Sequence, residues 1–171
     1  MTNIFFIGDP HFGHKEIVHP DKPRFYFSSY TEMEETLIEN WNSTVSKNDE
    51  VWILGDICIT KKSLGILKKL NGTHKAVLGN HDTFRLRFYY EHFKFVSGAY
   101  KMYIKGEKCI LTHIPIHTEQ LDEGSRYTMN VHGHLHCYSY GDLRYFNVNA
   151  DQINLTPIPI EVLEKRVQEL T

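Results

Sequence analysis

Short apolar runs, each stopped by glycine or a polar turn, set the rhythm of the chain. Asn3–Ile7 reads as a buried strand closed by Gly8-Asp9-Pro10, and Glu50–Leu54 as a second, closed by Gly55-Asp56. Between them Met33, Leu37, Trp41 and Val45 recur at helical spacing. This predicts a helix over Thr31–Val45, with Thr31 and Glu34 as a capping box. Lys61–Leu70 repeats the pattern with Leu64, Leu67 and Leu70, ends at Asn71-Gly72, and leads into a third strand, Lys75–Leu78. Strand, helix, strand, helix, strand is the alternation of a layered α/β core.

The second half changes character. Ala99–Ile104 and Lys108–Thr112 flank Lys105-Gly106-Glu107, a hairpin signal. Met129–His132 and Leu143–Val148 are further strands, and Glu161–Leu170 closes the chain as a helix. Val162, Leu163, Val167 and Leu170 are available for its buried face. No repeat, low-complexity tract or linker divides the 171 residues, so a single domain over 1–171 is expected.

Composition narrows the class. No stretch approaches the roughly 20 apolar residues of a membrane span, and the first residues lack a signal peptide's basic start and cleavage site. A cytoplasmic protein with no membrane partner is expected. Cys58, Cys109 and Cys137 show no pairing spacing, which fits a reducing compartment. The formal net charge is −2 with signs interspersed, so the basic stripe of a protein that holds extended duplex DNA is missing. Nucleotides and short oligonucleotides stay open as ligands, because metals bound in a site supply positive charge. Histidine is in excess, at 11 residues against roughly four for average usage.

Ligand-type residues stand where the strands end. Asp9 and His11 follow the first strand, Asp56 the second, Asn80, His81 and Asp82 the third, His113 the hairpin, and His134 and His136 the strand after it. In α/β sheets, ligand sites form just beyond strand carboxyl ends. Singly, an Asp after a glycine is also what a turn or helix cap requires, and a lone His also suits the surface. His134 and His136 project to the same side of an extended segment, and the joint pattern of five segments points to a metal site.

The blocks Gly8-Asp9-Pro10-His11, Gly55-Asp56-Ile57-Cys58, Gly79-Asn80-His81-Asp82, His113 and Gly133-His134-Leu135-His136 follow one another in that order. In this the sequence resembles the calcineurin-like metallophosphoesterase superfamily, whose blocks read GDxH, GDxx, GNH(D/E), H and GHxH. Gly13–Val18 after the first block and Trp41-Asn42 before the second resemble its small bacterial and viral members. The resemblance implies a four-layer αββα sandwich, with two mixed central sheets flanked by helices and the site on loops at one edge. It implies that Asp9, His11 and His136 hold one metal, that Asn80, His113 and His134 hold the other, and that Asp56 bridges them. His81 would sit beside the substrate without binding metal.

Such a dinuclear centre suits phosphoric-ester hydrolysis by a bridging hydroxide. Two cations roughly 3.5–4 Å apart lower the pKa of a shared water and neutralise phosphate oxygens. His81 is the expected proton donor to the leaving oxygen, with Asp82 orienting its ring. The donor mix suits two transition-metal ions, Mn²⁺ first, with Fe, Zn²⁺ or Ni²⁺ as alternatives, over Ca²⁺. The favoured substrate is a small phosphodiester, nucleotide-like or otherwise; the alternatives are a phosphomonoester, or a non-catalytic metal-binding scaffold on the same fold. His14, Arg24, Tyr138 and Arg144 are candidate substrate contacts, the other reading of the Arg24–Phe27 and Tyr138/Tyr140 clusters being core packing or loop anchoring. His132 is expected as buried support rather than a ligand, and His19, His74 and His92 at the surface.

Overall fold

The computed structural model describes residues 2–122, 124 and 126–171. In chain order its strands are β1 (Ile4–Ile7), β2 (Glu50–Leu54), β3 (Thr73–Val77), β4 (Phe95–Ser97), β5 (Ala99–Ile104), β6 (Glu107–Thr112), β7 (Met129–His132), β8 (Tyr145–Asn147) and β9 (Ile158–Pro159). The α-helices are α1 (Tyr30–Thr44), α2 (Leu86–Tyr90) and α3 (Ile160–Leu170), with 3-10 turns at Lys15–Val18, Lys61–Lys69 and Thr118–Gln120. The strands form two mixed sheets, ordered β4-β3-β2-β1-β9 and β5-β6-β7-β8. β1 to β4 run parallel, so their carboxyl ends share one edge, and β9 lies antiparallel to β1. In the second sheet β5 and β6 form the hairpin, and β7 and β8 continue parallel to β6.

The period of two along a strand decides which face each side chain enters. Phe5, Ile7, Val51, Ile53 and Ala76 join Met33, Leu37, Trp41, Leu64 and Leu67 in a core beneath the helices. Phe6, Trp52, Leu54 and Val77 turn the other way and meet Ile104, Cys109, Leu111, Met129 and Val131 of the second sheet. Fully burying each Val, Leu, Ile, Phe or Met side chain among them is worth about 1.5–3 kcal/mol. Both faces of the first sheet are thus buried, as expected for parallel strands.

Local chemistry moved several boundaries. α1 begins one residue earlier than its apolar period: Ser29 is the N-cap and accepts from the Glu32 amide (3.2 Å), while Glu32 accepts from the Ser28 amide (2.9 Å). The predicted partners Thr31 and Glu34 already lie inside the helix, where Glu34 instead accepts from the Tyr30 hydroxyl. Lys61–Lys69 forms a 3-10 turn rather than an α-helix, with Gly65 weakening its centre. The hairpin needs only Lys105-Gly106, both at positive φ (51° and 87°), and Glu107 already pairs with Ile104. β8 is shorter than Leu143–Val148. Short β4, and β9 with its edge proline, gave no periodic signal. On α3 the buried positions are Leu163 and Val167, while Val162 is exposed.

His74 is buried, contrary to its expected surface position. Its ring packs against Trp41 and Phe93, and Nε2 lies 3.3 Å from the Asn71 carbonyl. Burial lowers its pKa. Among the described residues no helix is long and apolar enough to cross a membrane. After β8 the chain reaches across to the first sheet: the Gly8 amide donates to Val148 O (2.7 Å) and the Ala150 amide to Gly8 O (2.8 Å). That link joins the two sheets at the edge where the loops carrying Asp9 and His134 emerge.

Candidate metal centre

The loops after β1, β2, β3, β6 and β7 are stitched together by backbone and side-chain hydrogen bonds. The Asp9 amide donates to Gly55 O (3.0 Å), the His11 amide to Asp56 O (3.0 Å) and the Gly133 amide to His113 O (3.0 Å). The His134 amide donates to Asp9 Oδ2 (2.9 Å) and the His81 amide to Asp56 Oδ1 (2.9 Å). This closeness explains two of the glycines: a Cβ on Gly133 would overlap the Asp9 carboxylate, and one on Gly79 the Asp56 carboxylate. Asp9, His11, Asp56, His134 and His136 all take left-handed backbone, with φ between 43° and 67°. Each such non-glycine residue costs about 1–3 kcal/mol. The surrounding fold therefore holds these backbones in an unfavourable conformation that turns the donors toward one another.

Two donor sets result, each with its atoms within 4.8 Å of one another: Asp9, His11 and His136, and Asp56, His113 and His134. Asn80 joins the second set through Oδ1, 2.9 Å from His113 Nε2. Asp56 stands between them, with Oδ2 3.8 Å from His11 Nε2 and Oδ1 3.5 Å from His113 Nε2.

The donor atoms fit cations on their own chemistry. Asp9 Oδ1 and both ring nitrogens of His11 are buried without a hydrogen-bond partner among the described residues, a state that costs about 1–3 kcal/mol per group. His113 Nδ1 lies 2.9 Å from Leu54 O, which only accepts, so Nδ1 carries the hydrogen and Nε2 a lone pair. That lone pair faces the acceptor Asn80 Oδ1, and His134 Nδ1 lies 3.1 Å away. Burial raises the Asp9 carboxyl well above the usual range, with Asp56 and Asp151 adding to the effect. Burial also lowers His11 to about 2 and depresses His113, which keeps both rings in the neutral form that binds metals.

The remaining candidates occupy varied places. His81 is beside the sets, its side chain 51% exposed and Nε2 3.9 Å from Asp56 Oδ2. Asp82 does not orient the His81 ring: its two oxygens accept from the Ile57 amide (3.0 Å) and the Gly79 amide (2.8 Å), and it ties the second loop to the third. Burial raises its carboxyl to about 6. His14 is half-buried, its ring 5.4 Å from that of His11, and Tyr138 is exposed just after His136. A shallow cavity of about 360 Å³ opens beside Asn80 and His113, walled by Leu78, Gly98, Thr112 and Ile114.

Arg24 cannot contact substrate, because it is fully buried. Its Nε donates to Asp151 Oδ1 (2.8 Å), Nη2 to Asp9 O (2.7 Å) and Nη1 to Pro10 O (2.9 Å). Arg144 is likewise taken, by Asp142, Asp122 and the Leu121 carbonyl. His132 is buried, with Nδ1 2.9 Å from Gly133 O and burial lowering its pKa to about 4. Asp151, absent from the sequence reading, lies 2.6 Å from His136 Nδ1 through Oδ2. Burial pushes its carboxyl up, but the His136 hydrogen bond and the Arg24 charge outweigh this and leave it below the usual range. It belongs to none of the family blocks, but it stands four residues after β8, as His11 does after β1 and His136 after β7, and that spacing could have marked it.

Comparison with known proteins agrees with this geometry. The family model described as calcineurin-like phosphoesterase superfamily domain matches residues 3–150. The chain is 31% identical to an uncharacterized protein of Methanocaldococcus jannaschii over 99% of this chain and 93% of that one. A stretch of 87 aligned residues is 39% identical to the gene 66 protein of Mycobacterium phage L5, covering 48% of this chain and 41% of the phage protein. In fold it is similar to a protein of unknown function from Aquifex aeolicus (TM-score 0.78, 23% identity, 96% and 99% of the two chains). It is also similar to an archaeal phosphodiesterase (TM-score 0.54, 17% identity, 86% and 82% covered).

Proposed function

The chain belongs to the calcineurin-like phosphoesterase superfamily, and on that premise we propose that it hydrolyses small phosphodiesters, nucleotide-like or otherwise, with two metal ions. The observation that carries this reading is the pair of adjoining donor sets with Asp56 between them, the first leaving buried donor atoms unpartnered. Asp9, His11 and His136 would hold one ion, and Asn80, His113 and His134 the other, with an Asp56 oxygen turned toward each. When bound, such a pair of cations neutralises phosphate charge and makes a nearby water acidic enough to supply a nucleophile at neutral pH. Imidazoles, carboxylates and one amide favour Mn²⁺, with Fe, Zn²⁺ or Ni²⁺ as alternatives.

His81 delivers the proton to the leaving oxygen. Its amide is anchored on Asp56 Oδ1 while its ring faces solvent, where a leaving group departs. General-acid help of this kind is worth about 10²–10⁴-fold. His14 and Tyr138 contact the substrate at the rim. The cavity beside Asn80 and His113 is where an ester arm of the substrate would lodge.

Two measurements test this. With Mn²⁺ added, an aryl phosphodiester should be cleaved faster than the matching monoester; the opposite order reverses the substrate preference. His81→Ala should keep two bound ions and lose about 10²–10⁴-fold in rate. A variant that hydrolyses as fast as the native protein removes His81 from the mechanism.

A further inference from the structure

We propose that Asp151 and Arg24 are positioning residues that assemble the first donor set, so that removing them loosens one metal position and spares the other. The inference rests on the two-ion reading above. Arg24 and Asp151 lie 127 residues apart in sequence yet form a buried ion pair at 2.8 Å, with side chains 0% and 3% exposed. Taking two charges out of water is costly, and apolar side chains of similar volume would pack as well or better. What the charged pair adds is direction.

On one side, Asp151 Oδ2 accepts the Nδ1–H of His136 at 2.6 Å. This hydrogen bond chooses the tautomer and leaves His136 Nε2 as a lone pair. The ring lies almost parallel to that of His11, with centroids 5.3 Å apart and an interplanar angle of 11°. On the other side, the two terminal nitrogens of Arg24 hold the carbonyls of Asp9 and Pro10. These are the peptides around which the backbone turns left-handed at Asp9 and His11, both with φ of 53°. One guanidinium thus grips the loop carrying Asp9 and His11, and through Asp151 it also fixes His136. Asp151 is set in turn by its own amide, which donates to Asn149 Oδ1 at 2.9 Å. The second set has different support: His113 is oriented by the Leu54 carbonyl, and His134 Nδ1 meets His113 Nε2.

The test is calorimetric titration of metal-stripped protein with Mn²⁺, alongside melting of the metal-free protein. The native protein should take up two ions. Asp151→Asn should take up one with native affinity and the other about 10–100-fold more weakly, the usual cost of losing a carboxylate behind a metal-binding histidine. Asp151→Glu should restore part of that loss. If Asp151→Asn does not fold, the charge-free double variant Arg24→Met with Asp151→Leu removes the stranded arginine, and the same selective weakening is expected. Variants that bind both ions with native affinity, even with lowered melting temperature, overturn the proposal by reducing the pair to a structural tie. A native protein that binds no ion would instead overturn the two-ion reading itself.

Discussion

The set of Asp9, His11 and His136 and the set of Asn80, His113 and His134 lie side by side around Asp56, but the chain supports them by different means. In the first, Asp9 Oδ1 and both His11 nitrogens are sealed from water with no partner, and the orientation comes from a buried ion pair outside the set. In the second, donors touch one another: His113 Nε2 lies 2.9 Å from Asn80 Oδ1 and 3.1 Å from His134 Nδ1, and Asn80 is exposed. The first set is preorganised and raises the energy of the metal-free protein, since unsatisfied buried polar groups are expensive. On the two-ion reading, the second would give up the His134–His113 hydrogen bond to take an ion. Similar donor types would then, on that reading, give two sites of unequal affinity, because burial and outer support differ.

The largest effect should come from removing what the sets share. On the reading that Asp56 bridges the sets, Asp56→Ala deletes a donor from both, and two-ion binding should be lost with at least about a thousandfold fall in hydrolysis, several kcal/mol of charge stabilisation. Retention of both ions at native affinity would show that the sets are independent and Asp56 incidental. Next in size is the difference between them. His136→Ala should abolish the tighter of two Mn²⁺ binding steps and His134→Ala the weaker, the steps differing by about tenfold or more, as the 1–3 kcal/mol cost of unpartnered buried groups implies. Equal affinities, or the reverse order, would break the comparison.

The smallest effect concerns a histidine outside both sets and serves as their control. Burial depresses the pKa of His74 below its usual 6.5. Above pH 6.5 both folded and unfolded chains carry it neutral, and stability is full. As pH falls, the unfolded chain takes up a proton that the fold refuses, and stability declines until the folded group titrates, by no more than about 1.4 kcal/mol per pH unit. His74→Phe keeps a ring against Trp41 and should flatten the drop in urea midpoint between pH 7.5 and 5.5 by this share. An unchanged slope would assign the whole drop to other groups, the donor histidines among them.

Much of the architecture was readable from pattern. β2, β5 and β7 match the bounds read from short apolar runs and the hairpin turn, and Met33, Leu37 and Trp41 face the core as the helical period requires. Elements without a period escaped: three-residue β4, two-residue β9, and α2 with its five residues. Cap and turn chemistry overrode pattern at Ser29 and at Lys105-Gly106. For the candidate site, the sequence named the members of both donor sets but misjudged their surroundings. Arg24 was expected at the substrate and lies in the interior, and Asp82 was expected on the His81 ring and holds two backbone amides instead.

The sequence by itself determined which ligand-type residues stand beside the strand ends, because the chemistry asks for particular residue types there. Its glycines stand where a Cβ would strike a neighbouring carboxylate, as at Gly79 and Gly133. The residue types are written in local spacing, although the carboxylates that Gly79 and Gly133 make room for come from other loops. Only the tertiary structure decided what stands behind the donors. That Asp151 reaches His136, that Arg24 reaches both Asp151 and the Asp9 carbonyl, and that His74 is sealed against Trp41 all depend on distant segments meeting. An Asp or Arg in a loop has many possible partners, and the sheet crossing between Gly8 and Val148–Ala150 selects among them.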